Sequence, residues 1–102
     1  MEKETNGKNL LTLEEQLELV TAIQDGDENA RERFVTGNRR FVEAVAKHYL
    51  DKGLSLDELI VAGNKGLIHA AEHYNPDSGI RFISYLVAWI RQSIIKLNPT
   101  SK

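Results

Sequence analysis

The sequence predicts an all-α fold, a compact bundle of about five helices. Apolar residues recur at three- and four-residue steps through most of the chain, which is the spacing of one helix face. Two Ser/Thr-x-x-Glu capping boxes, at Thr12 and Ser55, mark helix starts, and no stretch alternates with period two for long enough to form a strand. With 102 residues and no cysteine, the chain forms a single domain that depends on an apolar core and not on disulfides.

The first two predicted helices lie in the acidic part of the chain. Thr12 caps the first, because its hydroxyl can accept from the Glu15 amide while the Glu15 carboxylate reaches back, and Gly26 ends this helix. A short helix follows from Asp27 and ends at Gly37. The expected core positions of these two helices are Leu13, Leu17, Val20, Ile23, Ala30, Phe34 and Val35.

The third and fourth predicted helices are separated by Lys52-Gly53. Asn38 is expected to cap the third helix, and Ser55 caps the fourth, which continues to about His73. Their expected core positions are Phe41, Val42, Val45, Ala46, Tyr49, Leu59, Ile60, Leu67, Ile68 and Ala71.

Two glycines, Gly63 and Gly66, interrupt the apolar pattern of the fourth helix. Each costs roughly 1 kcal/mol relative to alanine inside a helix, so each is expected to have a reason. Close packing of another helix and direct approach by a partner are both open as that reason.

The fifth predicted helix runs from about Arg81 to Leu97, between a turn at Asn75–Gly79 and Pro99, which a helix cannot pass. Its apolar side is expected to hold Ile83, Leu86, Val87, Ile90 and Ile94. On another side, three aromatic residues fall near one line that two polar residues extend, namely Phe82, Tyr85, Trp89, Gln92 and Lys96.

The segment from Gly79 to Lys102 has four basic residues and no acidic residue. Residues 38–102 as a whole hold nine basic and six acidic residues, whereas residues 1–37 hold four basic and nine acidic ones. A row of aromatic side chains beside arginines suits unpaired nucleic-acid bases next to phosphates. Aromatic residues on a helix are also common in cores, so a row that only thickens the bundle is the other interpretation.

Other function classes have little support. The chain has no phosphate loop after a strand, no Ser-His-Asp order and no paired carboxylates in an apolar setting, so no enzyme activity is predicted. His69 and His73 have a zinc-compatible spacing without a third ligand, so we prefer a solvated helix face and predict no metal or cofactor. Without a signal peptide or a membrane span, a soluble cytoplasmic protein is expected, with residues 1–10 and 98–102 as flexible tails.

Three runs of the chain occur in an order that is typical of one protein family. They are Asn38-Arg39-Arg40-Phe41-Val42, LDELIVAGNKGLI at Leu56–Ile68 and YNPDSGIRFISYLVAWIRQSI at Tyr74–Ile94. Their order resembles the second conserved region of bacterial RNA polymerase sigma factors of the primary (housekeeping) type. The acidic stretch from Leu11 to Gly37 is similar to the short helices that precede this region, so we assign residues 11–97 to one helical domain of this kind.

The resemblance implies a protein partner for the fourth helix. In this family the Asp-Leu-Ile helix docks on the clamp coiled coil of the largest subunit of core RNA polymerase. The residues expected to make this contact are Asp57, Glu58, Val61, Asn64 and Ile68. An anti-sigma factor is a further partner that membership of this family would allow.

The resemblance also implies a DNA partner for the fifth helix. In this family that helix melts the TATAAT-like Pribnow box and captures its non-template strand. The residues carried over are Arg81, Phe82, Tyr85, Trp89, Arg91, Gln92 and Lys96. Tyr85 would stack on the flipped adenine at the second position, helped by Phe82, while the two arginines would hold phosphates. Gln92 would face the first base pair, and Trp89 would lie against the junction between duplex and melted strand.

The chain departs from the family pattern at several positions. Ala88 replaces the first of two adjacent tryptophans, Ile80 replaces an aromatic residue, and Ile95 replaces a threonine. On the polymerase side, Val61-Ala62 stands in place of Gln-Glu. The first three changes, Ala88, Ile80 and Ile95, favour a rival interpretation, a polymerase-binding modulator or decoy with impaired promoter melting. A helical domain with no nucleic-acid role is the third interpretation. The resemblance fades after Lys96, and either a domain of a longer factor or a stand-alone protein fits.

Overall fold

The described part of the protein consists of five α-helices joined by short connections. The computed structural model describes residues 11–97, apart from the side chains of residues 51 and 52. The helices are α1 (Leu13–Gln24), α2 (Glu28–Gly37), α3 (Arg39–Ala46), α4 (Leu56–His73) and α5 (Phe82–Leu97), with 3-10 segments at Lys47–Lys52 and Pro76–Ser78. The all-α prediction is confirmed, since residues 11–97 contain no strand. Within the same range, no helix is long and apolar enough to cross a membrane. The predicted tails, 1–10 and 98–102, lie outside the described residues.

Both predicted capping boxes are present. The Thr12 hydroxyl accepts from the Glu15 amide at 3.1 Å, and the Glu15 carboxylate accepts from the Thr12 amide at 2.9 Å. Ser55 and Glu58 make the same pair of bonds at the start of α4, also at 3.1 and 2.9 Å. These local bonds satisfy amides that a helix start leaves without partners, which explains why short sequence motifs located both helices.

Asn38 occupies the N-cap position of the third helix, as predicted, but its side chain does not cap that helix. Asn38 is buried, and its Nδ2 donates to the Phe34 carbonyl at 2.9 Å, with no side-chain bond to the start of α3. α3 follows α2 without a loop, and the side-chain amide of Asn38 satisfies a carbonyl at the end of α2. The third helix is also shorter than predicted, since it ends at Ala46 and continues as a 3-10 segment with non-helical geometry at Tyr49.

The core forms where α4 meets the other helices. Its apolar residues are Val20, Ile23, Ala30, Phe34, Val42, Ala46, Leu59, Ala62, Leu67, Ala70, Ala71, Tyr74, Phe82, Leu86, Ile90 and Ile94. Two predicted core residues lie on the surface, Leu13 at 55% exposure and Ile83 at 45%. At the start of α1, Gln16 is buried and Leu13 is not. The buried residues of α5 are spaced four positions apart, and each step of four positions rotates by about 40° around the helix. The buried side of α5 at its first turn therefore does not include Ile83.

The two glycines of α4 allow α5 to pack closely against it. A Cβ atom at Gly66 would collide with the backbone carbonyl of Trp89. A Cβ atom at Gly63 would lie 2.7 Å from Val42 Cγ1 and 3.4 Å from Ile90 Cγ2. Both glycines are buried, so helix packing accounts for them, and the open alternative of direct approach by a partner does not.

Side chains from α1 and α2 fix the C-terminal end of α4. Gln24 Nε2 donates to the carbonyls of Ala71 and Tyr74, both at 3.0 Å. Arg31 of α2 forms an ion pair with Glu72 at 2.8 Å. The end of α4 is therefore anchored by α1 and α2 as well as by α5, which steadies the residues that connect α4 and α5.

Candidate nucleic-acid interface

A row of aromatic rings leads from the core to the surface along the contact between α4 and α5. The centroids of Phe34 and Phe82 are 6.3 Å apart, and Tyr74 lies 4.9 Å from Phe82 and 5.3 Å from Tyr85. Trp89 follows at 6.4 Å from Tyr85 in an edge-to-face arrangement. Phe82 and Tyr74 are buried, whereas Tyr85 and Trp89 are half-buried. The row therefore ends in two rings that solvent reaches.

Phe82 lies in the core, in contrast to the expectation that its ring would help Tyr85 to stack on a base. It is 5% exposed and packs between the rings of Phe34 and Tyr74. Phe82 is the first of the buried residues that recur every four positions along α5, and Leu86 is the next. These residues face α4 and the core. Its ring is thus unavailable to a ligand in this structure, and we do not retain it among the base-contacting residues.

Tyr85 is held at its hydroxyl end and is partly open along its ring. Its hydroxyl donates to the His73 carbonyl at 3.3 Å, and the Tyr74 hydroxyl donates to the Ile80 carbonyl at 2.9 Å. These two bonds tie both tyrosines to the segment that joins α4 to α5. The orientation of Tyr85 is therefore set before any ligand binds, which lowers the ordering cost of stacking a base on it.

Trp89 packs against a histidine from the neighbouring helix. The centroids of Trp89 and His69 are 4.0 Å apart with planes at 46°, and His69 lies 4.3 Å from His73. The expected solvated face holds for His73, which is exposed, but not for His69, which is half-buried. Among residues 11–97, no three His, Cys, Asp or Glu residues come together in a group that could hold a metal ion.

Two polar residues continue the line of half-buried aromatic residues along α5. Gln92 and Lys96 are exposed and follow Trp89 by about one and two helical turns, so they lie on the same side of the helix. Arg81 is exposed and immediately precedes α5. We call this set, with Tyr85 and Trp89, the aromatic edge. It combines two half-open rings with a hydrogen-bonding amide and two cations.

Arg91 belongs to a different side of α5. Because two consecutive steps along a helix rotate by about 200°, Arg91 points away from Trp89. Its Nε donates to the Tyr49 hydroxyl at 3.0 Å, across a cleft of about 440 Å³ that Val45, His48 and Val87 also line. The structure therefore separates Arg91 from the aromatic edge, although sequence reasoning grouped them.

The residues predicted to contact polymerase occupy the outer face of α4. This outer strip consists of Asp57, Glu58, Val61, Asn64 and Ile68. The two acidic residues and Val61 are exposed, Val61 to 57%, while Asn64 and Ile68 are half-buried. The two glycines face α5, whereas the strip lies on another side of α4 and borders the C-terminal half of α5 at its first turn. Glu58 also has a structural role, since its Oε1 accepts from the Ser55 amide at 2.9 Å.

A groove of about 600 Å³ connects the outer strip with the C-terminal half of α5. Its lining residues are Asp57, Glu58, Val61, Ala62, Lys65, Ser93, Lys96 and Leu97. Acidic groups from the first turn of α4 and two lysines border an apolar floor. The groove places Lys96 of the aromatic edge and Val61 of the outer strip along one continuous surface.

Comparison with known proteins identifies the family. Residues 34–97 match the family model described as sigma-70 region 2. The chain belongs to the sigma-70 family. It is similar to RNA polymerase sigma factor RpoS of Coxiella burnetii, with 40% identity over 85 residues, which cover 83% of this chain and 24% of that relative. The chain thus spans about a quarter of the length of this curated relative, and the match supports the sigma-70 family without singling out its primary type.

The sigma-70 region 2 segment contains the aromatic edge, the outer strip and also residues that sequence reasoning missed. His69 and Tyr74 complete the row of rings, and Tyr49 holds Arg91. A signal for His69 exists in the sequence, because it follows Gly66 by about one turn and so lies toward the side on which α5 packs. The contact between Tyr49 and Arg91 has no such signal in the sequence, because these two residues are far apart in the chain.

Proposed function

We propose that this chain is a promoter-recognition module of a primary-type sigma factor, which acts in the cytoplasm without catalytic activity. The outer strip of α4 binds the clamp coiled coil of core RNA polymerase, and the aromatic edge of α5 binds the non-template strand of the Pribnow box. One observation carries the DNA half of the proposal: two half-open rings lie beside exposed polar and basic side chains on the helix that belongs to sigma-70 region 2. The polymerase half is supported by the similarity to a protein that is named as an RNA polymerase sigma factor.

The roles within the aromatic edge follow from the resemblance and from the geometry. Tyr85 stacks on the flipped adenine at the second position, Trp89 meets the junction of duplex and melted strand, and Gln92 faces the first base pair. Arg81 and Lys96 lie where they can contact phosphates beside the rings. Arg91 contacts a phosphate on the far side of α5, where Tyr49 orients its guanidinium.

The number of open rings limits how much DNA this module can melt. Flipping a base out of a duplex costs a few kcal/mol, and stacking on an aromatic side chain returns ~1–3 kcal/mol per base. With Phe82 buried and Ala88 without a ring, two half-buried aromatic side chains provide the stacking on α5. We therefore expect the isolated chain to capture an already single-stranded box and to melt duplex promoter DNA poorly without polymerase.

The DNA half is tested by fluorescence anisotropy with a single-stranded TATAAT oligonucleotide and a scrambled one, alone and with core polymerase. Binding is expected to prefer TATAAT and to weaken with salt. Each phosphate contact on a single strand contributes about −0.7 to the logarithmic salt slope, so Arg81, Arg91 and Lys96 together predict a slope of about −2. Lys96→Gln should reduce this slope by about 0.7, and Arg33→Gln, at an exposed position on α2, should leave it unchanged. A binding constant that does not depend on salt would contradict the electrostatic contribution.

The polymerase half is tested on the outer strip with variants that preserve the cap of α4. Glu58→Gln keeps an oxygen that can accept from Ser55, so it removes the charge without removing the capping acceptor. Combined with Asn64→Ala, it should weaken binding to core polymerase by about 1 kcal/mol or more, roughly fivefold to tenfold. Glu18→Gln, at an exposed position on α1, is the matched control. Unchanged affinity of the double variant in a titration with core enzyme would exclude this assignment of the docking surface.

A second candidate function is favoured by three exposed apolar positions. Ile80 is 48% exposed, Ile95 is 46% exposed and Ala88 is exposed, so none of the three provides a ring or a polar group for DNA. A modulator or decoy would use the outer strip to bind core polymerase and would show no preference for TATAAT. Polymerase binding without base preference in the anisotropy experiment supports this candidate, and the absence of both activities leaves a helical domain with no role in transcription initiation.

A further inference from the structure

The contact between His69 and Trp89 joins the two helices that carry the proposed binding surfaces. Their ring centroids are 4.0 Å apart, the shortest ring separation described along this row. His69 projects from α4, and Trp89 projects from α5, the helix of the aromatic edge. Both side chains are half-buried, so each covers part of the other while keeping a face toward solvent.

The main chain of Trp89 contacts α4 close to the place where the Trp89 ring packs on His69. Gly66 precedes His69 by about one helical turn, and its missing side chain leaves room for the Trp89 carbonyl. The main chain of Trp89 is therefore pressed against α4 at Gly66, while its ring lies on His69. Two residues of α4 that lie about one turn apart, Gly66 and His69, thus set the distance between the helices and the orientation of the Trp89 ring.

Within α5, the aromatic ring next to Trp89 is that of Tyr85. Tyr85 lies one turn earlier, 6.4 Å away and edge-on. The adjacent position, Ala88, is exposed and provides no ring that could support the indole. Trp89 also packs against the apolar core, and the ring closest to its indole is that of the histidine of α4, at 4.0 Å.

We infer that His69 is a positioning residue, which holds the Trp89 ring in the orientation that meets the junction between duplex and melted strand. This inference rests on the proposed function, because it assigns the junction contact to Trp89. His69 itself touches no DNA in this arrangement; it acts through the indole. Removing its ring frees the indole to adopt other rotamers, and binding at the junction must then restrict the indole at an entropic cost.

The test combines two measurements on the full chain. Trp89 is the single tryptophan of the sequence, so its fluorescence reports this ring alone. His69→Ala is expected to shift the emission to longer wavelength and to increase quenching by iodide, because the indole loses its cover. Affinity for a fork-junction oligonucleotide should fall roughly twofold to tenfold, whereas affinity for the single-stranded TATAAT oligonucleotide should be unchanged.

Two further variants separate positioning from a general effect on the fold. His69→Phe keeps an aromatic ring on the indole and should restore both the fluorescence and the fork-junction affinity. His73→Ala removes the neighbouring histidine of the same helix, whose ring contacts that of His69. This variant should change neither the Trp89 fluorescence nor the fork-junction affinity. Circular dichroism melting of each variant reports whether the helical bundle is retained.

The outcomes distinguish this inference from the proposed function. If wild-type protein binds neither oligonucleotide, the proposed function fails, and the junction role assigned to His69 fails with it. If wild-type protein binds both, then unchanged fluorescence or unchanged fork-junction affinity in His69→Ala overturns the positioning role alone. An equal loss in His73→Ala, or a failure of His69→Phe to restore affinity, overturns it as well.

Discussion

Phe82→Ala is expected to destabilise the protein by about 3–5 kcal/mol, as do other deletions of buried aromatic rings. Phe82 is 5% exposed and contacts the rings of Phe34 and Tyr74, so its removal leaves a cavity where α2, α4 and α5 meet. For a domain of this size, such a loss lowers the melting temperature by at least about 12 °C. Thermal unfolding followed by circular dichroism measures the effect.

The neighbouring residue provides a matched control for this prediction. Ile83 is 45% exposed on the same turn of α5, so Ile83→Ala should change the stability by less than about 1 kcal/mol. Phe82→Leu keeps an apolar side chain in the core and should retain most of the stability and all of the oligonucleotide binding. A stable Phe82→Ala protein with reduced binding to TATAAT would return Phe82 to the DNA-contacting set.

Tyr85→Ala is expected to remove most of the preference for adenine at the second position of the Pribnow box. Stacking of a base on an aromatic ring contributes ~1–3 kcal/mol, roughly fivefold to 150-fold in affinity. Tyr85 is half-buried, and its hydroxyl is bonded to the His73 carbonyl, so the ring is oriented while part of it remains open. Competition between oligonucleotides with adenine or cytosine at the second position measures the preference.

Tyr85→Phe tests whether the ring or the hydroxyl is responsible. This variant loses the bond to the His73 carbonyl, worth about 0.5–1.5 kcal/mol of stability, and keeps the ring, so base preference should be mildly affected. Tyr85→Ala also loses the contacts with Tyr74 and Trp89, so its melting temperature is measured alongside. A large fall in stability with intact base preference would assign Tyr85 to the core and contradict its proposed role.

The outer strip and the aromatic edge lie on helices that are packed directly against each other. Gly63 and Gly66 face α5, while the outer strip lies on another side of α4. Through Gly66, a shift of α4 would press on the backbone of Trp89. Oligonucleotide affinity measured with and without core polymerase, in wild type and in His69→Ala, reports how far the two surfaces depend on each other.

The sequence by itself determined most helix boundaries, because these depend on chemistry within about four residues; the end of α3 at Ala46 is the exception. Thr12 and Ser55 are correct caps since each hydroxyl bonds an amide three residues later, whatever the rest of the chain does. The family resemblance selected the residues of the outer strip, and helical periodicity places Asp57, Val61 and Ile68 among them on one side of α4. Family membership followed from the order of the motifs, which the match over residues 34–97 supports.

Tertiary structure decided which faces of these helices are buried and which residues meet. Periodicity gives the angles between residues on one helix, but the close contact at Gly66 sets how α5 lies against α4, and this places Phe82 inside and leaves Tyr85 half-open. Contacts between distant residues, such as His69 with Trp89 and Arg91 with Tyr49, arise from the same packing. A local pattern can indicate on which side of a helix a residue lies, as Gly66 does for His69, but the partner of that residue depends on the relative position of two segments that are separate in the chain.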